Sequence, residues 1–187
     1  MTERESLQRA IHEDVALLPH DPCWPALFEA ERARLARLFP SQLRAIEHIG
    51  STAIAGMPAK PVIDILAGVE TMAAADALAA PLFEANYTTS PAFNATLADR
   101  RWWMRWANGH RTHHLHLVVL DSLEWQQRLR FRDALRADAA LAQRYARLKA
   151  ALAQQHQTDR EAYTEAKSAF VRAVLAGPGA TNTAHSP

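Results

Sequence analysis

Residues 46–69 read IEHIGSTAIAGMPAKPVIDILAGV, and this stretch decides the fold. Alternating apolar and polar residues over 42–49 predict a strand, and Gly50 predicts a turn directly after it. The glycines and prolines of 50–61 predict a structured loop with room for one helical turn. The run 62–69 is apolar except for Asp64, which is typical of a strand buried on both faces.

Helical periodicity lies on both sides of these strands. Apolar residues spaced by three and four predict a short helix over 1–18 and a second helix over 24–39. The alanine-rich segment 71–85 predicts another helix, whereas 87–98 is too irregular for a prediction. The buried strands are therefore expected to have helices packed around them.

The second half of the chain predicts a hairpin followed by helices. Strands are expected over 102–106 and 112–120, and Asn108-Gly109 between them is a strong hairpin signal, so the strands should be antiparallel neighbours. Three helices are expected over 123–136, 139–155 and 159–176. The fold class is therefore expected to be α+β, a small mixed sheet flanked by helices, with a C-terminal run of three helices.

Composition limits the classes of function. The chain has 187 residues, of which 49% are hydrophobic and 22% charged, and its formal net charge of +1 argues against a general nucleic-acid or membrane-surface binder. Cys23, the single cysteine, cannot form an internal disulfide, and no apolar run approaches the roughly 20 residues of a membrane span. We expect a cytoplasmic protein with an N-terminal helical arm over 1–19, one domain over 20–176 and a disordered tail over 177–187.

The first candidate site lies in the quoted stretch. Gly50 lets the backbone approach a ligand, and Ser51 can hydrogen-bond a phosphate oxygen. Asp64 is costly in an apolar strand unless a cation or metal compensates it, and it would complete a Mg²⁺–phosphate site with the Gly-Ser turn. The alternative is that Gly50-Ser51 is only a turn and Asp64 an internal hydrogen-bond acceptor.

Two histidines form a second candidate. His114 and His116 project from the same face of a strand, so the pair could bind a metal or a phosphate or relay a proton. The alternative is a pair of neutral core histidines bonded to backbone carbonyls. A closed structural zinc site is not expected, because neither a cysteine nor an HExxH motif accompanies them.

Clustered cations are the third feature. Basic residues over 100–111 alternate with tryptophans, which fits either phosphate and base binding or ion pairs around core tryptophans. Arg128, Arg132 and Arg136 recur at helical spacing, which predicts a solvated, salt-bridged face unless an anion offsets them. Lys167 lies within an apolar stripe, where a lysine needs a carboxylate or phosphate or must extend to solvent.

Several of these blocks resemble the GrpB family. The resemblance covers roughly residues 20–176 in order, and the N-terminal arm and the tail lie outside it. The blocks are Asp21-Pro-x-Trp24-Pro, residues 46–56, Ala59-Lys-Pro-Val-Ile-Asp64-Ile-Leu, His113-His-Leu-His116, Phe131-Arg-Asp-x-Leu-Arg, Tyr145-x-x-Leu-Lys149 and Tyr163-Thr-Glu-Ala-Lys167.

GrpB proteins are similar to nucleotidyltransferases of the DNA polymerase β-like fold. In that fold a Gly-Ser turn holds a nucleoside triphosphate, and carboxylates on the next strands hold two Mg²⁺ ions for in-line attack. The resemblance implies that Ser51 lies in the phosphate turn and that Asp64 is one carboxylate. Val62 and Leu66 stand at the positions where a partner acid could fall, so one metal with mixed Asp and His ligands and a metal-free nucleotide site both remain open.

The resemblance leaves two functions. One is metal-dependent transfer of a nucleotidyl group from a nucleoside triphosphate to a small molecule, and the other is a non-catalytic module that binds a nucleotide or another anionic ligand. The implied residues are Gly50 and Ser51 for phosphate, Asp64 and His116 for Mg²⁺ or Mn²⁺, His114 as general base, and Lys60, Arg132 and Lys167 for charge neutralisation. We expect Asp64, His114, His116 and Lys167 to converge on one cleft near Ser51.

Overall fold

The computed structural model of the chain describes residues 17–107, 109–155 and 160–177, and for 160–164 and 166 it describes the backbone alone. Most of the predicted arm over 1–19, residue Asn108 of the predicted turn, and the predicted tail beyond Gly177 lie outside the described residues.

A five-stranded mixed sheet forms the centre of the fold. Its strands are β1 Ala45–Ile49, β2 Ile63–Val69, β3 Tyr87–Thr88, β4 Arg100–Ala107 and β5 His110–Val119. The strand order is β1-β2-β5-β4-β3, in which β2 and β5 run parallel and the other neighbouring pairs run antiparallel. The predicted strands are confirmed, and the two that were expected to form a hairpin are antiparallel neighbours.

Seven α-helices accompany the sheet within the described residues. They are α1 Trp24–Leu38, α2 Met72–Ala77, α3 Ala79–Glu84, α4 Pro91–Ala95, α5 Leu123–Ala137, α6 Ala139–Gln155 and α7 Arg160–Ala176. A 3₁₀ turn over Ser51–Ala53 follows β1, which confirms the predicted helical turn in that loop. Among these helices, none has both the length and the apolar character that crossing a membrane requires.

The single helix predicted over 71–85 is wrong. The segment forms two short helices, α2 and α3, with a break at Leu78. A continuous helix would need an N–H at position 81 to bond the carbonyl of Ala77, and Pro81 has none. Leu78 N instead bonds Ala75 O at 3.2 Å, and the proline lies in the first turn of α3, where the missing donor costs little.

The two faces of the sheet pack against different helices. One face belongs to a large apolar core that includes Ile65 and Leu115 together with α1, α2 and α3. The opposite face packs through Leu66 against Trp125 of α5, and α5, α6 and α7 form a further cluster on the loop after β1. Since side chains alternate along a strand, this second face also carries Asp64 and the two histidines of β5 that share its side.

Candidate functional site

The turn after β1 brings Ser51 close to the carboxylate of β2. Gly50 has φ +72°, a conformation that L side chains rarely adopt. A Cβ at Gly50 would lie 2.3 Å from Asp64 Oδ2, so this close approach requires a residue without a side chain. The 3₁₀ turn begins at the next residue, Ser51. The Gly-Ser turn therefore lies against the Asp64 carboxylate, and Ser51 and Asp64 line one cavity.

Asp64 forms a carboxylate–imidazole pair with β5. His114 Nδ1 lies 2.9 Å from Asp64 Oδ1, and the Asp64 side chain keeps 29% of its surface exposed. Burial alone would raise the pKa of Asp64, but hydrogen bonding from His114 and then His116 holds that pKa well below its usual range. Because an ionised carboxylate only accepts hydrogen bonds, His114 Nδ1 donates, and Nε2 becomes the proton-accepting atom of His114.

His116 stands beside the same carboxylate. Its Nε2 lies 3.9 Å from Asp64 Oδ1. Burial, followed by the positive charge of Arg128, lowers the pKa of His116 to about 3 against the opposing effect of Asp64. Its Nδ1 has no hydrogen-bond partner among the described residues. A neutral imidazole, with a buried nitrogen left unpaired by the described residues, is therefore held beside the Asp64 carboxylate.

Lys149 of α6 completes the serine side of the site. Its Nζ donates to Ser51 Oγ at 2.8 Å and to Pro58 O at 2.6 Å, and it lies 5.3 Å from the centre of the Tyr145 ring. The residue is 2% exposed. Burial, together with the positive charge of Lys167, lowers the pKa of Lys149 to about 7, although Asp64 acts in the opposite direction.

Three arginines of α5 reach toward this region. Arg128 pairs with Glu124 at 2.5 Å, and Arg132 pairs with Glu47 of β1 at 2.6 Å. Arg136 is exposed and donates to a backbone carbonyl in the turn after β1. The salt-bridged face expected from the sequence is confirmed, but its solvated character is wrong for Arg132, whose side chain is 10% exposed because it packs over β1.

A cavity of about 310 Å³ lies between the sheet edge and helices α5, α6 and α7. Its polar part contains Ser51, Asp64, His116, Arg128 and Arg132. Its apolar part contains Ile49, Phe131, Leu135, Tyr145, Val171 and Leu175. The cavity therefore offers charged, aromatic and aliphatic side chains to one molecule.

Most of the residues predicted for the site come together. Gly50, Ser51, Asp64, His116 and Arg132 line the cavity, and His114 contacts Asp64 directly from beside it. Lys167 lies close enough to Lys149 to lower its pKa, but it is not among the residues that line the cavity. Lys60 is half-buried in the loop before β2 and does not line the cavity either.

The basic segment over 100–111 makes ion pairs. Arg101 pairs with Asp76 at 2.5 Å, and Arg105 pairs with Glu31 at 3.0 Å. Trp103 is buried in the core on the side of the sheet opposite the cavity. The contacts of this segment favour ion pairs around core tryptophans over a nucleic-acid surface.

Comparison with known proteins places the chain in a family. The family model described as "GrpB protein" matches residues 14–176. This chain belongs to the GrpB family. A solved structure described as conserved protein GrpB from Enterococcus faecalis superposes with a TM-score of 0.76 at 32% identity, covering 86% of this chain and 95% of that one. The resemblance inferred from the sequence blocks is confirmed at the level of the family.

Two curated relatives show the extent of the match. Glutamate-rich protein GrpB of Alkalihalophilus pseudofirmus is 33% identical over 170 residues, which cover 87% of this chain and 94% of that protein. UPF0157 protein YqkA of Bacillus subtilis is 34% identical over 158 residues, which cover 84% of this chain and only 45% of YqkA. The matched GrpB range contains every residue of the site described above.

Lys149 is the residue of the GrpB site that sequence reasoning missed. It was quoted within the block Tyr145-x-x-Leu-Lys149 but given no role. The buried side of α6 consists of Tyr145, Lys149 and Leu152, so this lysine interrupts an apolar stripe. Lys167 on the next helix became a candidate because it is a lysine within an apolar stripe, and the same criterion applied to α6 would have identified Lys149.

Proposed function

We infer that the cavity of this GrpB chain binds a nucleotide or a closely similar phosphate-bearing small molecule, with its phosphate near Ser51. The observation that carries this proposal is Lys149. Its ammonium group is 2% exposed, and no carboxylate pairs with it among the described residues. A buried cation without a counter-ion is costly, and an anion bound beside Ser51 would offset that cost.

The lining of the cavity supports a ligand that combines a charged group with an apolar one. Arg128 and Arg132 line the same cavity as Ser51, and guanidinium groups suit phosphate oxygens. Phe131 and Tyr145 line it as well, with ring centroids 5.3 Å apart. A phosphate near the arginines and a flat ring near the aromatic side chains match the chemistry of a nucleotide.

Transfer of a nucleotidyl group is the second candidate, and Asp64 favours it. The serine turn follows β1, the aspartate lies on β2, and the histidines lie on the parallel neighbour β5. The resemblance to nucleotidyltransferases implies a phosphate turn followed by acidic strands, and here the histidines replace the acid expected on the later strand. An ionised carboxylate bonded to His114 Nδ1 orients that imidazole as a general base. A hydroxyl of a small-molecule acceptor would be its proton donor.

The described residues do not form the metal site that the resemblance implies. No group of three or more His, Cys, Asp and Glu side chains among them is arranged to hold a metal ion. Asp64 and His116 would supply two ligands, but Leu66 occupies the place of a second carboxylate and His114 already bonds Asp64 Oδ1. We therefore assign phosphate neutralisation to the cations of the chain, and the experiments compare samples with and without Mn²⁺.

Thermal shift and calorimetry test the proposed ligand. Nucleoside triphosphates and inorganic pyrophosphate, each with and without Mn²⁺, should raise the melting temperature of the wild-type chain through preferential binding to the folded state. Lys149→Met should weaken binding by roughly 10- to 100-fold, because it removes the positive charge next to Ser51 and the hydrogen bond that holds the Ser51 hydroxyl, although Lys149 does not itself line the cavity. Arg32→Met is the matched control, since it removes an exposed cation from α1, which packs on the other face of the sheet.

Two outcomes would contradict the proposal. One is that no nucleotide and no pyrophosphate raises the melting temperature of the wild-type chain. The other is that Lys149→Met and Arg32→Met bind a nucleotide equally well. Release of pyrophosphate by the wild-type chain, lost in Asp64→Ala, would support the transferase candidate over a binding module.

A further inference from the structure

We propose that Ser51 is a nucleophile that accepts the nucleotidyl group itself, with Lys149 as the base that takes its hydroxyl proton. The proposal rests on nucleotide binding in the cavity and adds a covalent seryl intermediate to the transferase candidate. A hydroxyl needs an adjacent base to become a good nucleophile, and lysine serves this role in other serine enzymes. Ser51 lines the cavity, and Lys149, which does not line it, contacts the Ser51 hydroxyl at 2.8 Å.

The geometry around Lys149 suits a neutral amine. A neutral amine has two N–H bonds and one lone pair, whereas an ammonium group has only N–H bonds to donate. Pro58 O, 2.6 Å from Nζ, can only accept, so it takes one N–H. Ser51 Oγ, 2.8 Å from Nζ, can reverse its role and donate its hydrogen to the lone pair. The carbonyl thus fixes the amine so that its lone pair can point at the serine.

Burial makes the neutral amine accessible near neutral pH. Lys149 is 2% exposed, and Lys167 is the positive group whose charge acts on it, so both desolvation and repulsion disfavour the ammonium form. Asp64 partly offsets this effect. The Tyr145 ring, 5.3 Å from Nζ, favours the ammonium that forms when the serine proton arrives. Lys149 can therefore be an unprotonated amine before the reaction, and the Tyr145 ring stabilises the ammonium form once Lys149 has taken the serine proton.

The neighbouring threonine is arranged differently. Thr52 Oγ1 lies 3.0 Å from His48 Nε2, and the His48 ring stacks on Phe28 in the core. Thr52 is 2% exposed and does not line the cavity. Of these two adjacent hydroxyls, Ser51 alone lines the cavity, so it provides the selective test.

The chemistry balances with a nucleoside triphosphate as the donor. Ser51 Oγ attacks the α-phosphorus, the bond from that phosphorus to the bridging oxygen of the β-phosphate breaks, and pyrophosphate leaves with that electron pair. The serine proton passes to Lys149. An acceptor hydroxyl or water then attacks the seryl phosphodiester and gives its proton to His114, the bond from phosphorus to Ser51 Oγ breaks, and Lys149 returns the first proton to Ser51 Oγ. The step involves no oxidation or reduction.

A neutral phosphorylating probe tests the dyad apart from nucleotide binding. Diisopropyl fluorophosphate carries no charge, so its reaction with Ser51 does not need the phosphate-binding cations; the serine oxygen attacks phosphorus and fluoride leaves. Peptide mass spectrometry should find the adduct on Ser51 of the wild-type chain and neither on Thr52 nor on exposed Ser41. The labelling rate should rise with pH and level off above about pH 7, as Lys149 loses its proton.

Variants separate the base from the charge. Lys149→Met, which keeps the side chain apolar and buried, and Lys149→Arg, which keeps the positive charge but cannot act as a base, should both slow labelling by about 10²- to 10⁴-fold, the usual contribution of a general base. Ser51→Ala should abolish labelling, and Ser41→Ala should label like the wild type. Circular dichroism of each variant confirms that it is folded.

The same chain incubated with a nucleoside triphosphate labelled at the α-phosphate should yield a seryl nucleotide on the Ser51 peptide. No fluorophosphate adduct on Ser51, or equal labelling of the wild type and Lys149→Arg, would overturn the dyad even if calorimetry shows nucleotide binding. A fluorophosphate adduct without an α-phosphate adduct would overturn the seryl nucleotide intermediate. Loss of nucleotide binding with intact fluorophosphate labelling would instead count against the proposed function.

Discussion

Two buried charged groups on opposite faces of the sheet are satisfied in very different ways. Glu31 of α1 is 3% exposed, yet it accepts hydrogen bonds from Arg34, from the Tyr87 hydroxyl at 2.7 Å and from Arg105 at 3.0 Å. Lys149 of α6 is 2% exposed, and its described polar contacts are a serine hydroxyl and a backbone carbonyl. The carboxylate is balanced by charge, and the ammonium group is not.

The difference indicates which face serves the structure and which serves a ligand. A buried charge persists when opposite charges and hydrogen bonds offset its desolvation, as they do for Glu31. Where they are missing, either the group gives up its charge or another molecule supplies the partner. The cavity lies on the side of the sheet where Lys149 contacts Ser51, which lines it.

The largest expected effect comes from removing the balanced carboxylate. Glu31→Leu leaves Arg34 and Arg105 without their shared counter-ion and the Tyr87 hydroxyl without its acceptor, so we expect a loss of roughly 3–5 kcal/mol in the free energy of unfolding. Urea unfolding measures it. Glu29→Leu, which removes an exposed carboxylate paired with Arg32 on the same helix, should cost under about 1 kcal/mol. Equal costs for the two variants would mean that Glu31 has no special structural role.

Removing the unbalanced lysine should have the opposite sign. Lys149→Met replaces a poorly compensated buried cation with an apolar side chain, and we expect a gain of roughly 1–4 kcal/mol in the free energy of unfolding near neutral pH. The pKa of Lys149 is about 7 in the folded chain against 10.5 for an ordinary lysine. The unfolded chain therefore binds more protons between these values, and wild-type stability should rise with pH across that window.

Urea unfolding of the wild type and the variant across that range checks the sign. The stability gain of Lys149→Met should be largest below about pH 7 and should shrink toward pH 10.5. If the gain does not depend on pH, Lys149 is charged in the folded chain throughout, and the neutral base that Ser51 requires is absent. The stability difference between Arg32→Met and the wild type, measured over the same pH range, should not change with pH in this way.

Local periodicity in the sequence is sufficient to predict the strands of the site and the faces on which their side chains lie. Strand alternation is sufficient to place His114 and His116 on one face, and the Asn-Gly turn is sufficient to pair their strand with β4 as an antiparallel neighbour. Parallel pairing of β2 with β5 then sets Asp64 beside His114. These inferences hold because a strand fixes the direction of every second side chain.

Contacts that depend on packing could not be predicted in this way. Lys149 meets Ser51 across 98 positions of sequence, and only the packing of α6 over the loop after β1 brings the two together. The segment over 87–98 similarly has no period of its own. Asn94 of α4 holds it in place by accepting from the backbone N of Trp102 at 2.8 Å.

Gly50 offers the sharpest test of the cavity face, with the smallest expected effect. Gly50→Ala combines a positive φ with a Cβ placed 2.3 Å from Asp64 Oδ2, and we expect a cost of roughly 1–3 kcal/mol in the free energy of unfolding. Gly56→Ala is the matched control, because Gly56 has φ +73° but no atom within 4 Å of its Cβ position. Gly56→Ala should lower the free energy of unfolding only by the strain of a side chain at positive φ, about 1 kcal/mol.

A double-mutant cycle isolates the contact itself. In an Asp64→Ala background the collision at Gly50 loses the carboxylate but keeps the Cβ of residue 64 at 2.9 Å, so Gly50→Ala should cost less there than in the wild type and still more than Gly56→Ala does. Gly50→Ala alone should also displace Asp64 from His114, which a shift in the His114 imidazole resonances would report. Equal losses of unfolding free energy for the two glycine variants in the wild-type background would mean that the Asp64 carboxylate can move away from the turn. The backbone at Gly50 would then not enforce the close approach of the turn to Asp64.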